Sequence, residues 1–346
     1  MKKGLLTKAI GLCFLILSVM VGPYAEPAQS AEFELSFTHT IPPVIPMAKV
    51  YEAWAKQIES KSNGRVKINF YWSESLLKAS EFYRGVQTGQ TDITYYVIGL
   101  DWGLTPLNLF VKLGFMGFPS VQIGTEIYKE LLVKFPQLEQ ELKGVKLLAP
   151  RMGPPYHLHF VNKKVRTPAD LKGMKVISVG ASLAKELAVM GAAPMDIKVG
   201  DLYMSLERGL AEGISAHIPI LHGFGILELV PNHVLFEGGA AMGPDMILFN
   251  LKSWNKLPKD IQKIFEDSSF SLAQNLIMAD VGYENMIRGK MVELKHDIYT
   301  PSEAEMVLWR KAVQPEHEQW IEETEAKGLP ARALYNETKR LIAQYK

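Results

Sequence analysis

The sequence predicts an α/β chain folded as two lobes, with one long helix running along both. Three observations carry this. Segments of strand character alternate with segments of helical period along most of the chain. The length of 346 residues exceeds what one hydrophobic core usually supports. A stretch from Pro258 to about Leu294 reads as a single helix, and its roughly 37 residues would extend about 55 Å at 1.5 Å per residue.

The elements follow in order. Lys2, Lys3 and Lys8 form a positive start, Ala9 to Val21 an apolar run, and Gly22-Pro23 a break before the small residues of Ala28-Gln29-Ser30. This is the pattern of a cleaved export signal, residues 1–30, with the mature chain beginning at Ala31. The apolar run falls short of the roughly 20 residues that a membrane-spanning helix needs. Cys13 is the single cysteine and lies inside that run, so the mature chain has neither disulfides nor a thiolate nucleophile. Removing the signal subtracts three of 38 basic and one of 37 acidic residues, which leaves 35 against 36 and a net charge of −1. Such a balance offers no electrostatic footprint for nucleic acid or for an anionic membrane surface.

Glu34 to His39 reads as a strand, after which Pro42, Pro43 and Pro46 delay the next helix. Met47, Val50, Trp54 and Ile58 then recur at helical spacing until Ser62-Asn63-Gly64 stops the pattern. Val66 to Trp72 is a strand, Ser80 to Thr88 a helix and Asp92 to Ile98 a strand. The alternation returns with strands at Val145–Leu148 and Tyr156–Asn162, a turn at Asp170–Gly173 and a strand at Met174–Val179. Helices follow at Ser182–Met190 and Leu202–Leu210. Past the long helix, Ser302–Ala326 and Ala331–Tyr345 read as terminal helices divided by Gly328-Leu329-Pro330, with Pro315 a candidate kink in the first.

Several segments together resemble a known family. Ser62-Asn63-Gly64-Arg65-Val66-Lys67-Ile68 resembles its turn into a strand, and Gly89-Gln90-Thr91-Asp92 its "G-x-x-D" element. The strongest match is Asp170-Leu171-Lys172-Gly173-Met174-Lys175-Val176, followed by Met190-Gly191-Ala192-Ala193-Pro194 and the stretch from Asp201-Leu202-Tyr203 to Gly213. Trp254-Asn255-Lys256-Leu257-Pro258-Lys259-Asp260-Ile261-Gln262 resembles the opening of the family's long helix. In order and spacing these segments resemble the solute receptors of tripartite ATP-independent periplasmic (TRAP) transporters, the dicarboxylate-receptor family. The resemblance implies a two-lobed periplasmic solute-binding fold that closes on a small organic acid at its hinge, without catalysis or cofactor. It also implies delivery to small and large membrane subunits. Residues 31–154 with 243–282 are expected to form one domain, and 155–242 with 283–346 the other.

The site residues that the resemblance implies depart from the family in three respects. A guanidinium fork matches a carboxylate, and the family places an arginine for this on the strand after "DLKG"; here that position reads Ile177. A second family arginine matches at or beside His157, and Ala216 stands where an asparagine is common. His39, Tyr95, Tyr96 and Ser178 match cleft-lining positions, Lys78 lies near the rim, and Arg151 is the expected cation for an anionic ligand. The backbone amides opening the helix after Gly180-Ala181-Ser182 are an alternative carboxylate site, unless Ser182 only caps that helix. A pocket of Ile177, Val97, Tyr95 and Tyr96 would also suit a less polar or neutral ligand.

Other chemistries lack their full patterns. His157-x-His159 on a strand would turn two imidazoles to one face as a metal pair, with His217 and His222 as further candidates, but no carboxylate at ligand spacing supports it. Gly180-Ala181-Ser182-Leu183-Ala184 lacks the second glycine of a nucleophile elbow, and Gly223-Phe224-Gly225 lacks the third glycine of a dinucleotide fingerprint. No metal site and no enzyme are expected. A receptor for an ATP-driven importer shares the clamp architecture, but the long helix after Leu257-Pro258 favours the TRAP type.

Overall fold

The computed structural model describes residues 31–99, 103–178, 181–197 and 199–345. The expected export signal, Gly180 and the side chain of Ser182 lie outside the described residues.

In chain order, the first half comprises β1 (Phe33–Thr38), α1 (Pro46–Lys61), β2 (Val66–Tyr71), α2 (Phe82–Thr88), β3 (Ile93–Val97), α3 (Val121–Lys134), α4 (Gln137–Gln140) and β4 (Val145–Met152). The chain then runs through β5 (Tyr156–Phe160), β6 (Lys175–Ser178), α5 (Ala181–Val189), β7 (Ala193–Met195), α6 (Leu202–Glu207), β8 (Gly213–His217), α7 (Ile218–Gly223) and β9 (Asn232–Val234). It ends with β10 (Pro244–Asn250), α8 (Leu251–Lys256), α9 (Lys259–Glu293), β11 (Asp297–Tyr299), α10 (Glu303–Glu325) and α11 (Ala331–Ala343).

These strands form two sheets, one per lobe, in the orders β2-β1-β3-β10-β4 and β11-β9-β5-β8-β6-β7. Each sheet mixes parallel crossovers with antiparallel neighbours: β10 runs antiparallel to both β3 and β4, and β5 antiparallel to both β8 and β9. The chain passes between the lobes where β4 leads to β5, where β9 leads to β10, and along α9. That helix packs on α1 and β4 of the first lobe and on α7 of the second. Its 35 residues extend about 52 Å at 1.5 Å per residue.

Local chemistry fixes the long helix at its start. The Gln262 side-chain amide donates to the carbonyls of Trp254 and Leu257 at 2.9 and 3.0 Å, satisfying acceptors left at the end of α8 and tying that end to the first turn of α9. Trp54 Nε1 donates to Ser268 Oγ at 2.8 Å and ties α1 to α9. Pro315 lies inside α10, which continues through it from Glu303 to Glu325, and Ser302 and Glu305 form a capping box at its start. The C-terminal helices serve both lobes: Trp309 and Val313 pack with Leu158 and Phe236 of the second, whereas Ile321, Leu334 and Leu341 pack with Tyr128 and Leu131 of the first. Among the described residues no helix is long and apolar enough to cross a membrane.

Candidate functional site

Between the lobes lies a cleft of about 530 Å³, within the usual range for small-molecule sites. The carboxyl ends of strands open onto it, as expected in α/β sheets. The first lobe contributes His39 and Thr40 after β1, Ile41, Pro42 and Ile45 before α1, Tyr51 of α1, Tyr95 of β3, Arg151 of β4 and Asp245 of β10. Opposite them stand His217 at the end of β8, Pro219, Ile220 and Gly223 of α7, and Phe224. Asp280 and Tyr283 of α9 close one side. The prolines after β1 explain part of this wall, because they keep the segment non-helical, with a turn in which the Ile45 amide donates to the Pro42 carbonyl at 3.2 Å, until α1 begins at Pro46.

Arg151 is buried, and both arms of its guanidinium are occupied. Nη2 donates to Asp245 Oδ2 at 2.8 Å and Nη1 to Asp280 Oδ2 at 2.5 Å. A bulge aims it there: two residues of β4, Ala149 and Pro150, lie opposite the single residue Met246 of β10, and Ala149 takes φ 47°. Burial opposes the charge of Arg151, and the two aspartates outweigh it, so its pKa rises and it stays protonated. Burial pushes Asp245 up to about 6, with Arg151 pulling it down and Asp280 pushing it up further. Tyr95 donates to Asp245 Oδ2 at 2.9 Å, whereas Asp245 Oδ1 is buried without a hydrogen-bond partner.

His39 stacks on Tyr95, with ring centroids 4.2 Å apart. Its Nδ1 accepts from the Ile41 amide at 3.2 Å, so Nε2 carries the proton, and that donor is buried and unpaired. His217 likewise has a buried Nδ1 without a partner. Burial, then neighbouring cations, hold both histidines near pKa 3, so both are neutral at ordinary pH. The cleft thus offers apolar walls around a few buried polar groups that lack partners.

Of the residues that the sequence points to, His39, Tyr95 and Arg151 line this cleft together. Lys78 is exposed beside Ala79, which lies at the cleft's edge. The others lie outside this lining, and strand alternation explains most of them. Tyr95 faces the cleft, so Tyr96 turns to the opposite face and packs on Tyr83 at 5.5 Å. In β5 and β8, Tyr156 pairs with His217 on one face and His157 with Ala216 on the other. His157 is buried and accepts from the Phe236 amide at 3.2 Å, and Ala216 packs in the second lobe's core with Ile177. Ser178, opposite Ser215 in β8, is buried too. His159 bonds to His233 at 2.8 Å, and no group of three or more His, Cys, Asp or Glu is placed to hold a metal among the described residues. Sequence reasoning does not reach Tyr51, Asp245 and Asp280. Asp280 is one of several acids along a long helix and gives no local signal of its inward direction.

Comparison with known proteins places this architecture. Residues 37–324 match the family model described as bacterial extracellular solute-binding protein, family 7 (DctP). The C4-dicarboxylate-binding periplasmic protein DctP of Rhodobacter capsulatus is 23% identical over 346 residues, covering 95% of this chain and 97% of that one. A crystal structure of a marine metagenome TRAP solute-binding protein superposes with TM-score 0.84 at 24% identity, covering 92% of this chain and all of the other. One from Rhodoferax ferrireducens gives TM-score 0.82 at 22% identity, covering 90% and 98%. A third, from Desulfovibrio salexigens and in an open state, gives 0.80 at 25% identity, covering 91% and 97%. With a match over most of the mature chain, and two lobes meeting at a ligand-sized cleft, the chain belongs to the bacterial extracellular solute-binding proteins of family 7, the solute receptors of TRAP transporters.

Proposed function

We propose that this receptor captures a small organic acid with a largely apolar, ring-sized body and delivers it to small and large membrane subunits. The carrying observation is the cleft lining: Ile41, Pro42, Ile45, Pro219, Ile220 and Phe224 from both lobes surround a small set of buried polar groups. Three structural neighbours support the ligand class. The marine metagenome protein was crystallised with 3-hydroxybenzoate, the Rhodoferax ferrireducens protein with copurified benzoate, and a Bordetella bronchiseptica protein with mandelate. A sugar acid such as the D-glucuronate held by a Chromohalobacter salexigens protein would need more polar partners than this lining provides.

One observation favours a second reading, a neutral ligand: the charge of Arg151 is already matched by two aspartates. Mass spectrometry of compounds copurifying with the protein separates the two, followed by calorimetry on aromatic monocarboxylates and their amides. Micromolar or tighter binding of an aromatic acid supports the proposal. Binding of amides or alcohols alone would replace it with the neutral reading.

A further inference from the structure

We propose that Lys112, rather than Arg151, is the cation that holds the carboxylate of an acidic ligand, so that the receptor reads its ligand's charge with an ammonium group. This rests on the organic-acid reading above and specifies the residue that enforces it.

Lys112 ends a short 3₁₀ turn, Asn108–Lys112, and is buried at 5% exposure. A buried ammonium is costly unless a partner compensates it. Yet among the described residues no carboxylate oxygen lies within 4.0 Å of it, whereas Arg151 has two such partners. Lys112 borders a separate small cavity of about 80 Å³ with Leu109, Lys185 and Glu316, and its head lies behind the cleft wall, against Tyr156 and Gly243. Nζ lies 5.1 Å from the ring centroid of Tyr156, whose ring meets His217 edge-on at 5.5 Å. Its charge bears on both His217 and Asp245, and both line the cleft. The buried carboxyl of Glu186 also feels Lys112, but it accepts from the Gly114 amide, and burial and Glu316 push it towards its neutral form.

The backbone makes room for this head. A Cβ on Gly243 would lie 2.4 Å from Lys112 Nζ and 2.6 Å from its Cε. Gly243 does not hold a left-handed conformation, so space rather than backbone freedom is what an alanine there would violate. Two residues on, Asp245 enters the cleft wall. The lysine head therefore fills a notch in the chain segment that carries Asp245, and the Tyr156 ring that it faces is the one that meets His217, whose Nδ1 is unpartnered. A carboxylate reaching this corner would meet one ammonium and one neutral imidazole.

The test is calorimetry with benzoate, 3-hydroxybenzoate and mandelate, each paired with its neutral amide, on the wild type, Lys112→Met and Lys112→Arg. Loss of one charge-assisted contact weakens acid binding by about 10- to 150-fold. The expected result is that loss for the acids in Lys112→Met, little change for the amides, and substantial recovery in Lys112→Arg. Equal acid binding by the wild type and a folded Lys112→Met would overturn the assignment and leave the organic-acid reading standing. A wild type that binds none of the three acids would overturn both. Should Lys112→Met not fold, as judged by circular dichroism, Gly243→Ala reads the same quantity, because it keeps the lysine and displaces its flexible end. Unchanged acid affinity in Gly243→Ala would then count against the assignment.

Discussion

Replacing Arg151 with methionine keeps much of the side chain's volume and removes its charge, leaving Asp245 and Asp280 buried on either side of an apolar stem. The substitution abolishes both ion pairs of the guanidinium, at 2.8 and 2.5 Å. Removing one partner of a buried ion pair costs about 3–5 kcal/mol, because the remaining charge has no solvent to return to. At about 2–4 °C per kcal/mol for chains of this order of size, the melting temperature should fall by roughly 6–20 °C. The sign of the pH effect follows from the aspartates. Burial already raises Asp245 above its ordinary value of 3.8 to about 6 in the presence of the arginine. Without the arginine both carboxyls rise further, so the folded state binds more protons than the unfolded chain and recovers stability as pH falls towards the unfolded carboxylate range. Thermal melts of the wild type and Arg151→Met at pH 7.5 and 5.5 provide the assay. The lesion should be smaller at the lower pH, and Asp280→Asn added to Arg151→Met should restore part of the loss. A fall below about 2 °C, or an equal fall at both pH values, would refute the view that the guanidinium neutralises this pair.

Two further expectations concern the buried histidines. His39, His157, His217 and His233 are each held near pKa 3, chiefly by burial, against an ordinary 6.5. Their contribution is fully present above pH 6.5 and is lost as pH falls towards 3, at roughly 2 kcal/mol for each by pH 5. Asp245 and Glu316, raised to about 6 and 7, return about half of that sum over the same range. The melting temperature should therefore decrease from pH 7 to pH 5, and a flat or rising profile would contradict the assignment. The second expectation fixes proton positions along a chain of rings. His159 Nε2 can only donate to the Ala216 carbonyl at 3.2 Å, so its Nδ1 accepts from His233 Nδ1, whose Nε2 accepts in turn from His296 Nδ1. Nitrogen-15 spectra should show the Nε2–H form for His159 and the Nδ1–H form for His233, and the reverse pair would break the chain.

The elements that announce themselves in sequence are those with a clean period and marked ends. The long helix is expected over 258–294 and spans Lys259–Glu293, because Leu257-Pro258 marks its start and no later proline interrupts it. By contrast β10 escapes a reading by period: all seven of its residues are buried, so it shows no alternation between a wet and a dry face. The site divides in the same way. Tyr95 and Tyr96 are adjacent, and composition cannot say which of two successive strand residues faces a cleft; only the pairing of β3 with β10 decides it. Likewise, Arg151, Asp245 and Asp280 are remote in sequence, and no local spacing brings one guanidinium and two carboxyls to the same wall.

The late arrival of β10 bears on how the chain reaches its site of action. In the first lobe's sheet, β3 and β4 never touch each other; each pairs with β10, which lies between them and is made of residues 244–250. During synthesis from the N-terminus, β1, β2 and β3 can assemble early, but they leave an open edge, and β4 has no neighbour until about 250 residues have emerged. Closing a pairing so distant in sequence is slow, because the intervening loop must lose its entropy first. A receptor destined for the far side of a membrane benefits from that delay. Its order of strands keeps the growing chain incompletely folded, and so able to be threaded, until most of it has been made.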